Sequence, residues 1–223
     1  MKQTVEFEYC DLSAELAGQV EYFVDKLLSP LEEETEQHSL SKWISSTDPD
    51  CLGYIIGSAA RSDGAVCCVC TLVPYTDGEE TPSHPLWKAI GKTLAGTEID
   101  PSSASLVISE RIPNVPISAT LPLYKFLFQD IKDVEDEYPV RTEYVLFISS
   151  CYENKKEKIY SKEEEAGMKR FSFLRKEMAV KETEVTLLDG RVACEKRTLF
   201  VFERKRFRQY VKDLKTKTGK VER

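Results

Sequence analysis

The first side chains to weigh for chemistry are the thiols of CCVC, residues 67–70. Three thiols so close could hold a metal or supply a nucleophile. A zinc site would need a second ligand pair at suitable spacing, and only His38 and His84 stand ready to add to it. A nucleophilic thiol needs a neighbouring base and a polarised setting, and the adjoining residues supply neither. The run AVCCVCTLVPY reads instead as a buried strand, with Cys68 and Cys70 on one face and Cys67 on the other. Core packing accounts for it. His84, just before Pro85 at a predicted helix start, suits a cap or a surface position better than a general base. There is no Walker loop, no nucleophile elbow and no G-x-G-x-x-G. No two carboxylates stand apart as an acid/base couple. Residue chemistry therefore points away from an enzyme, with no metal or cofactor expected.

A second stretch, SERIPNVPISATLPLYKFLFQDI at 109–131, raises a different question. It stiffens a predicted strand-to-helix crossing with Pro113, Pro116 and Pro122. In many α/β folds a phosphate sits at such a crossing, held by backbone N–H groups at the helix start. Proline has no N–H to give. Ser118 is the expected cap of the following helix, which puts Pro122 in its first turn, where proline is tolerated.

The elements that must position these residues alternate along the chain. VEFEYC is a predicted strand, followed by an amphipathic helix with Leu16, Val20, Phe23, Val24, Leu27 and Leu28 on one face. Asp11 or Ser13 is its expected cap, and Pro30 stops it. HSLSKWISST is a short predicted helix. LGYIIGSA and AVCCVCTLVPY form a hairpin through the Asp-Gly of RSDG. HPLWKAIGKTLAG is a helix with proline in its first turn and Gly96 at its end. SASLVISE, EYVLFISSCY, MKRFSFLRKEMAV and RTLFVF are predicted strands, with a second Asp-Gly turn in EVTLLDGRVACEK. The chain closes on the helix ERKRFRQYVKDLK, with Phe207, Tyr210, Val211 and Leu214 on its apolar face. Residues 153–167 read as a charged, mobile loop and 217–223 as a disordered tail. The expectation is one α/β domain over 1–223, a largely antiparallel mixed sheet flanked by helices.

A chain of 223 residues can bury a substantial core. No apolar run approaches the ~20 residues of a membrane span, and MKQTVEFEYC has no secretory h-region. Seven cysteines, an odd number, suit reduced thiols in an intracellular protein. The net charge of −7 conceals a division. Residues 1–100 carry 18 acidic and 6 basic side chains, whereas residues 101–223 carry 20 and 25. Such a molecule should attract basic partners at one end and tolerate anionic ones at the other. RKRFR, residues 204–208, could be a nucleic-acid patch, although the apolar periodicity of its helix already turns those cations outward.

LVISERIPNVPISATLPLYKFLFQDI resembles the signature of the BCCIP family, whose yeast members are the Bcp proteins. The matching positions are Ser109, Glu110, Arg111, Asn114, Val115, Pro116, Leu121, Pro122, Leu123 and Tyr124. VEFEYCDLSAEL, DPDCLGYIIGSA, EYVLFISSCYE and RTLFVFERKRFRQYVKDLK resemble the family more weakly. The resemblance implies a fold like that of the GNAT acetyltransferases without their activity. It also implies a nuclear chaperone for one basic protein of the large ribosomal subunit, the universal L-fourteen family, with nuclear export and transport factors beside it. Larger members carry a long acidic N-terminal extension, whereas this sequence begins almost at the first strand. Glu32, Glu33, Glu34, Glu36, Glu79 and Glu80 are then the expected partner-binding residues.

The resemblance also gives the prolines a meaning. Acetyl-CoA enzymes of this fold carry a pattern like Q/R-x-x-G-x-G/A at the crossing, where glycines let the backbone approach a pyrophosphate. If residues 111–116 occupy that place, Arg111 matches, while Asn114 and Pro116 replace the glycines. The leading expectation is a non-enzymatic nuclear binding protein, shuttling to the cytoplasm and touching no membrane. The alternatives are an acetyl-CoA-dependent N-acetyltransferase and an RNA-binding protein acting through Arg204, Lys205, Arg206 and Arg208. Direct nucleic-acid contact is the weaker expectation.

Overall fold

The computed structural model describes residues 6–28, 31, 44, 56–75, 84–112, 114–137, 142–153, 158–160, 162, 164–180, 184–187 and 190–221. Among the described residues, alternating sequence patterns become nine strands: β1 (Glu8–Asp11), β2 (Ile56–Ser62), β3 (Ala65–Pro74), β4 (Ala104–Arg111), β5 (Tyr144–Glu153), β6 (Lys158–Tyr160), β7 (Leu174–Met178), β8 (Glu184–Thr186) and β9 (Val192–Glu203). Helical patterns give α1 (Ala17–Leu28), α2 (His84–Leu94), α3 (Leu121–Glu137), α4 (Glu165–Phe171) and α5 (Arg204–Val221). The sheet order is β1-β2-β3-β4-β5-β9-β7, with β6 beside β5 and β8 beside β9. Every pairing is antiparallel except β4 with β5. The expected mixed, largely antiparallel α/β architecture is what forms.

Strand alternation sorts the apolar side chains onto two faces. One face sets Val69, Val73, Leu106, Ile108, Leu199 and Val201 under α1 and α2. The other sets Cys68, Cys70, Leu72, Val107, Phe147 and Phe202 under α3, α4 and α5. The hairpin between β2 and β3 turns at Asp63 and Gly64, with φ of 53° and 79°. Both angles lie where Asp and Gly are the residues that fit.

Cys67 departs from the expected alternation. Ala60 pairs with Cys68 but Arg61 with Val66, so Cys67 is the extra residue of a β-bulge. It turns to the same face as Cys68 and Cys70. Burial, first of all, pushes the Cys68 and Cys70 thiols up to about 12, the opposite of an activated nucleophile.

Three further expectations are corrected. MKRFSFLRKEMAV is not one strand: α4 ends at Phe171 and β7 begins at Leu174, because Met168 buries beneath α5 while Ser172 and Phe173 break the run. The charged segment 153–167 holds β6 and opens α4, and its Glu165 is fully buried. Residues 217–221, expected in a disordered tail, continue α5, with Thr218 donating to the Leu214 carbonyl.

Buried Arg197 of β9 joins the far ends of the chain. Its Nε donates to the Leu27 carbonyl at 2.8 Å and its Nη2 to that of Lys26 at 3.1 Å. It thus caps the C-terminus of α1, where carbonyls lack helical partners. Gly57 is required for another reason. A Cβ there would sit 2.5 Å from Leu12 Cδ1 and 2.8 Å from Thr71 Oγ1. Gly57→Ala should cost about 1–3 kcal/mol of stability by overpacking. A urea midpoint unchanged from the parent protein would contradict this.

Candidate functional site

β4 and β5 pair only from Ala104 with Tyr144 to Val107 with Phe147. Beyond that, β4 follows β3 as far as Arg111 and β5 follows β9 as far as Glu153. Their facing edges part. A crevice beyond the carboxyl ends of neighbouring parallel strands is where open α/β sheets seat ligands, and its bare backbone groups need partners.

Here the chain fills its own crevice. Lys162 Nζ donates to the Ser109 carbonyl at 2.7 Å and to Glu110 Oε1 at 2.7 Å. It also lies 3.0 Å from Glu165 Oε1, with the Phe147 ring 5.7 Å away. Ser149 of β5 donates to Glu165 Oε2 at 2.7 Å. The ammonium and its carboxylates therefore tie β4 to β5. Ser109, Glu110, Tyr124, Phe147, Lys162 and Glu165 enclose no water-sized cavity between them, and Lys162 keeps only 10% of its side chain exposed.

Burial alone would lower the basicity of Lys162, but the Glu110 and Glu165 carboxylates outweigh it and raise its pKa. Burial raises Glu165, helped by the Glu110 charge and opposed by Lys162. Two carboxylates thus share one cation in a dry setting. Beside them Arg111 grips Glu164 with both nitrogens, the second contact at 2.9 Å. Tyr124 donates to Ser109 Oγ at 2.9 Å, and Tyr210 of α5 to the Glu164 carbonyl at 3.2 Å.

Ser109, Glu110, Arg111 and Tyr124 of the sequence motif therefore meet in one place. The other motif residues form the crossing itself. Asn114 is exposed and takes φ of 70°, a left-handed angle that asparagine tolerates better than most. Pro116 opens a 3-10 turn over Ile117–Ala119. α3 then starts at Leu121, so Thr120 and not Ser118 immediately precedes it, and Ser118 lies inside the turn. Pro122 still falls in the first turn. Val115 and Leu121 are half-buried against the core, and Leu123 is fully buried. Pro113 lies outside the described residues.

Four backbone donors at the crossing are spent. Ile112 N donates to the Cys67 carbonyl, Val115 N to Ile112, Ala119 N to Pro116 and Thr120 N to Ile117. Pro116 has no N–H. The prolines and the four occupied donors thin the set of N–H groups that a pyrophosphate would use.

Lys162, Glu164, Glu165 and Ser149 went unnoticed in the sequence. The available signal was Glu110, a carboxylate at the end of an otherwise apolar strand, since a buried acid demands a cation. Glu32, Glu33, Glu34, Glu36, Glu79 and Glu80 lie outside the described residues. Cys10, Cys67, Cys68, Cys70, Cys151 and Cys194 are free thiols. Among the described residues no cluster of three or more His, Cys, Asp or Glu could hold a metal.

Residues 3–187 match the sequence family described as BCCIP. Comparison with curated proteins gives no match. Among solved structures, the chain is similar to BCP1 from Saccharomyces cerevisiae. The TM-score is 0.63 at 16% identity, over 95% of this chain and 88% of that one. It also resembles an N-acetyltransferase from Staphylococcus aureus, with a TM-score of 0.39, 10% identity and coverage of 89% and 97%. A GNAT-family acetyltransferase from Streptococcus pneumoniae follows at 0.38 and 7%, over 88% and 100%.

Proposed function

The chain belongs to the BCCIP family, and from this we propose that it is a non-enzymatic binding protein, a dedicated nuclear chaperone for a basic protein of the large ribosomal subunit. By its resemblance, that client is of the universal L-fourteen family, and the chaperone takes part in ribosome biogenesis and nuclear export. The observation that carries the non-enzymatic reading is the crevice filled by Lys162. A ligand entering there would have to displace an ammonium held by two carboxylates and a carbonyl. The spent donors at the crossing act in the same direction.

The client reading draws on charge. A ribosomal protein exposes Lys and Arg that would otherwise face phosphates, and an acidic surface shields them. Residues 1–100, with 18 acidic and 6 basic side chains, supply that acidity. Affinity purification from the protein's own cells should recover one dominant, stoichiometric basic ribosomal protein. A spread of unrelated partners would overturn the client. Calorimetric titration with acetyl-CoA should give no saturable binding, whereas micromolar binding would restore the acetyltransferase alternative.

Association with the purified ribosomal protein should be steered by charge. Raising salt from about 0.05 to 0.5 M should slow it at least several-fold while dissociation changes little. Neutralising Glu32, Glu33, Glu34 and Glu36 together should mimic the salt effect. A stopped-flow on-rate flat across that range would leave the acidic half as a solubilising surface only.

A further inference from the structure

The cations of α5 are sorted by partner. On one flank, Arg206 Nε lies 3.6 Å from Glu203 and Lys217 Nζ lies 2.7 Å from Asp213. Phe207, Tyr210 and Leu214 are buried in the core. The remaining flank carries Lys205, Arg208, Lys212 and Lys215, all exposed. These follow one another at intervals of three, four and three residues, so they form a single row along the helix. The row extends about 15 Å at 1.5 Å per residue. Among the described residues, none of the four makes an ion pair.

The neighbouring helix continues the row. Arg208 lies over the Phe128 ring of α3, 5.3 Å from its centroid. Phe128 packs edge-on against Phe207, which sets α3 alongside this flank. Lys125 and Lys132, both exposed, stand about one turn before and after Phe128 and so share its side of α3.

We infer that this row is a binding surface for the phosphate backbone of a single-stranded RNA, read without regard to base sequence. A regular line of unpaired cations matches a regular line of phosphates, and its gain comes from counterion release. A docking protein segment would want an apolar centre. This flank presents none, because its one ring, Phe128, is roofed by Arg208. The row is drawn from residues 125–215, outside the acidic residues 1–100 to which the client protein is assigned, so one molecule could hold a basic protein and an anionic strand together.

The test is fluorescence anisotropy with a mixed-sequence RNA of about 20 nucleotides. The four contacts of α5 alone account for a slope of about −3 in log affinity against log salt. The variant K205Q/R208Q/K212Q/K215Q should bind at least tenfold more weakly at low salt and lose most of that slope. The variant R206Q/K217Q/K169Q/R170Q removes the same charge from other exposed positions and should change affinity less than threefold. Circular dichroism must show both folded like the parent, and these surface positions make that the expected result. Equal losses in the two variants would reduce the effect to net charge and overturn the inference. No binding by the parent at low salt would also overturn it, as would polyglutamate binding as tightly as RNA, which would assign the row to acidic protein segments.

Discussion

Lys162→Met should unfold at a much lower urea concentration than the parent protein. The substitution keeps most of the side-chain length but leaves Glu110 and Glu165, respectively 4% and 0% exposed, facing the same crevice without a cation. Removing one partner of a buried charge cluster costs about 3–5 kcal/mol. For a chain of this size that is a fall of very roughly 6–20 °C in melting temperature. The Ser109 carbonyl loses its donor as well. Adding Glu110→Gln and Glu165→Gln should recover much of the loss, because two neutral amides can remain buried where two carboxylates cannot. The alkaline limb should report the same ammonium. Its folded pKa is raised, so its contribution is complete below the unfolded value near 10.4 and fades as pH climbs through the higher folded value. A Lys162→Met penalty below about 1 kcal/mol would mean that water reaches the carboxylates and that the crevice is not sealed.

The second large effect is expected at Arg197, on the other face of the sheet. Its guanidinium is 1% exposed and bonds the Lys26 and Leu27 carbonyls together with Glu195 Oε1 at 2.9 Å. Arg197→Met fills similar space but leaves two helix-terminal carbonyls in the core with no donor. Hydrogen bonds to a charged group are each worth about 1.5–3 kcal/mol, so losing the two that reach α1 should cost about 3–6 kcal/mol. Arg197→Lys should fall between, because one ammonium cannot reproduce the planar fork. Hydrogen exchange locates the damage: amides of α1 should lose more protection than those of α5. Equal stability of the Met variant and the parent would show that the carbonyls find other donors.

Both predictions rest on groups that the sequence displayed unequally. The strands of the sheet were legible because Leu106, Ile108, Leu146 and Val201 sit in long apolar runs, and the strands flanking the two Asp-Gly pairs, β2 with β3 and β8 with β9, pair antiparallel. The motif residues Ser109, Glu110, Arg111 and Tyr124 were found, but only as a signature. What joined them could not be read, since Lys162 and Glu165 occur in a segment as charged as any solvated loop. A local pattern cannot show that a lysine is dry when its partners lie 52 residues back and three ahead. Arg197 was hidden in the same way, at the end of the charged run Glu195–Arg197 in the middle of β9. The bulge at Cys67 escaped for another reason: period-two reasoning assumes an uninterrupted ladder.

Arg197 also sets a clock. The carbonyl it caps belongs to Leu27, 170 residues earlier in the chain. β5, the strand joining the two parts of the sheet, has four register pairs with β4 on one side and ten with β9 on the other. Synthesis runs from the N-terminus at about 5–20 residues per second. Roughly ten to thirty seconds therefore separate the making of α1 from the making of the arginine that closes it. Through that interval β5, once made, presents most of one edge with no β9 to pair with, and an unpaired edge is a template for any other extended chain. The last strand to leave the ribosome is the one that closes the sheet.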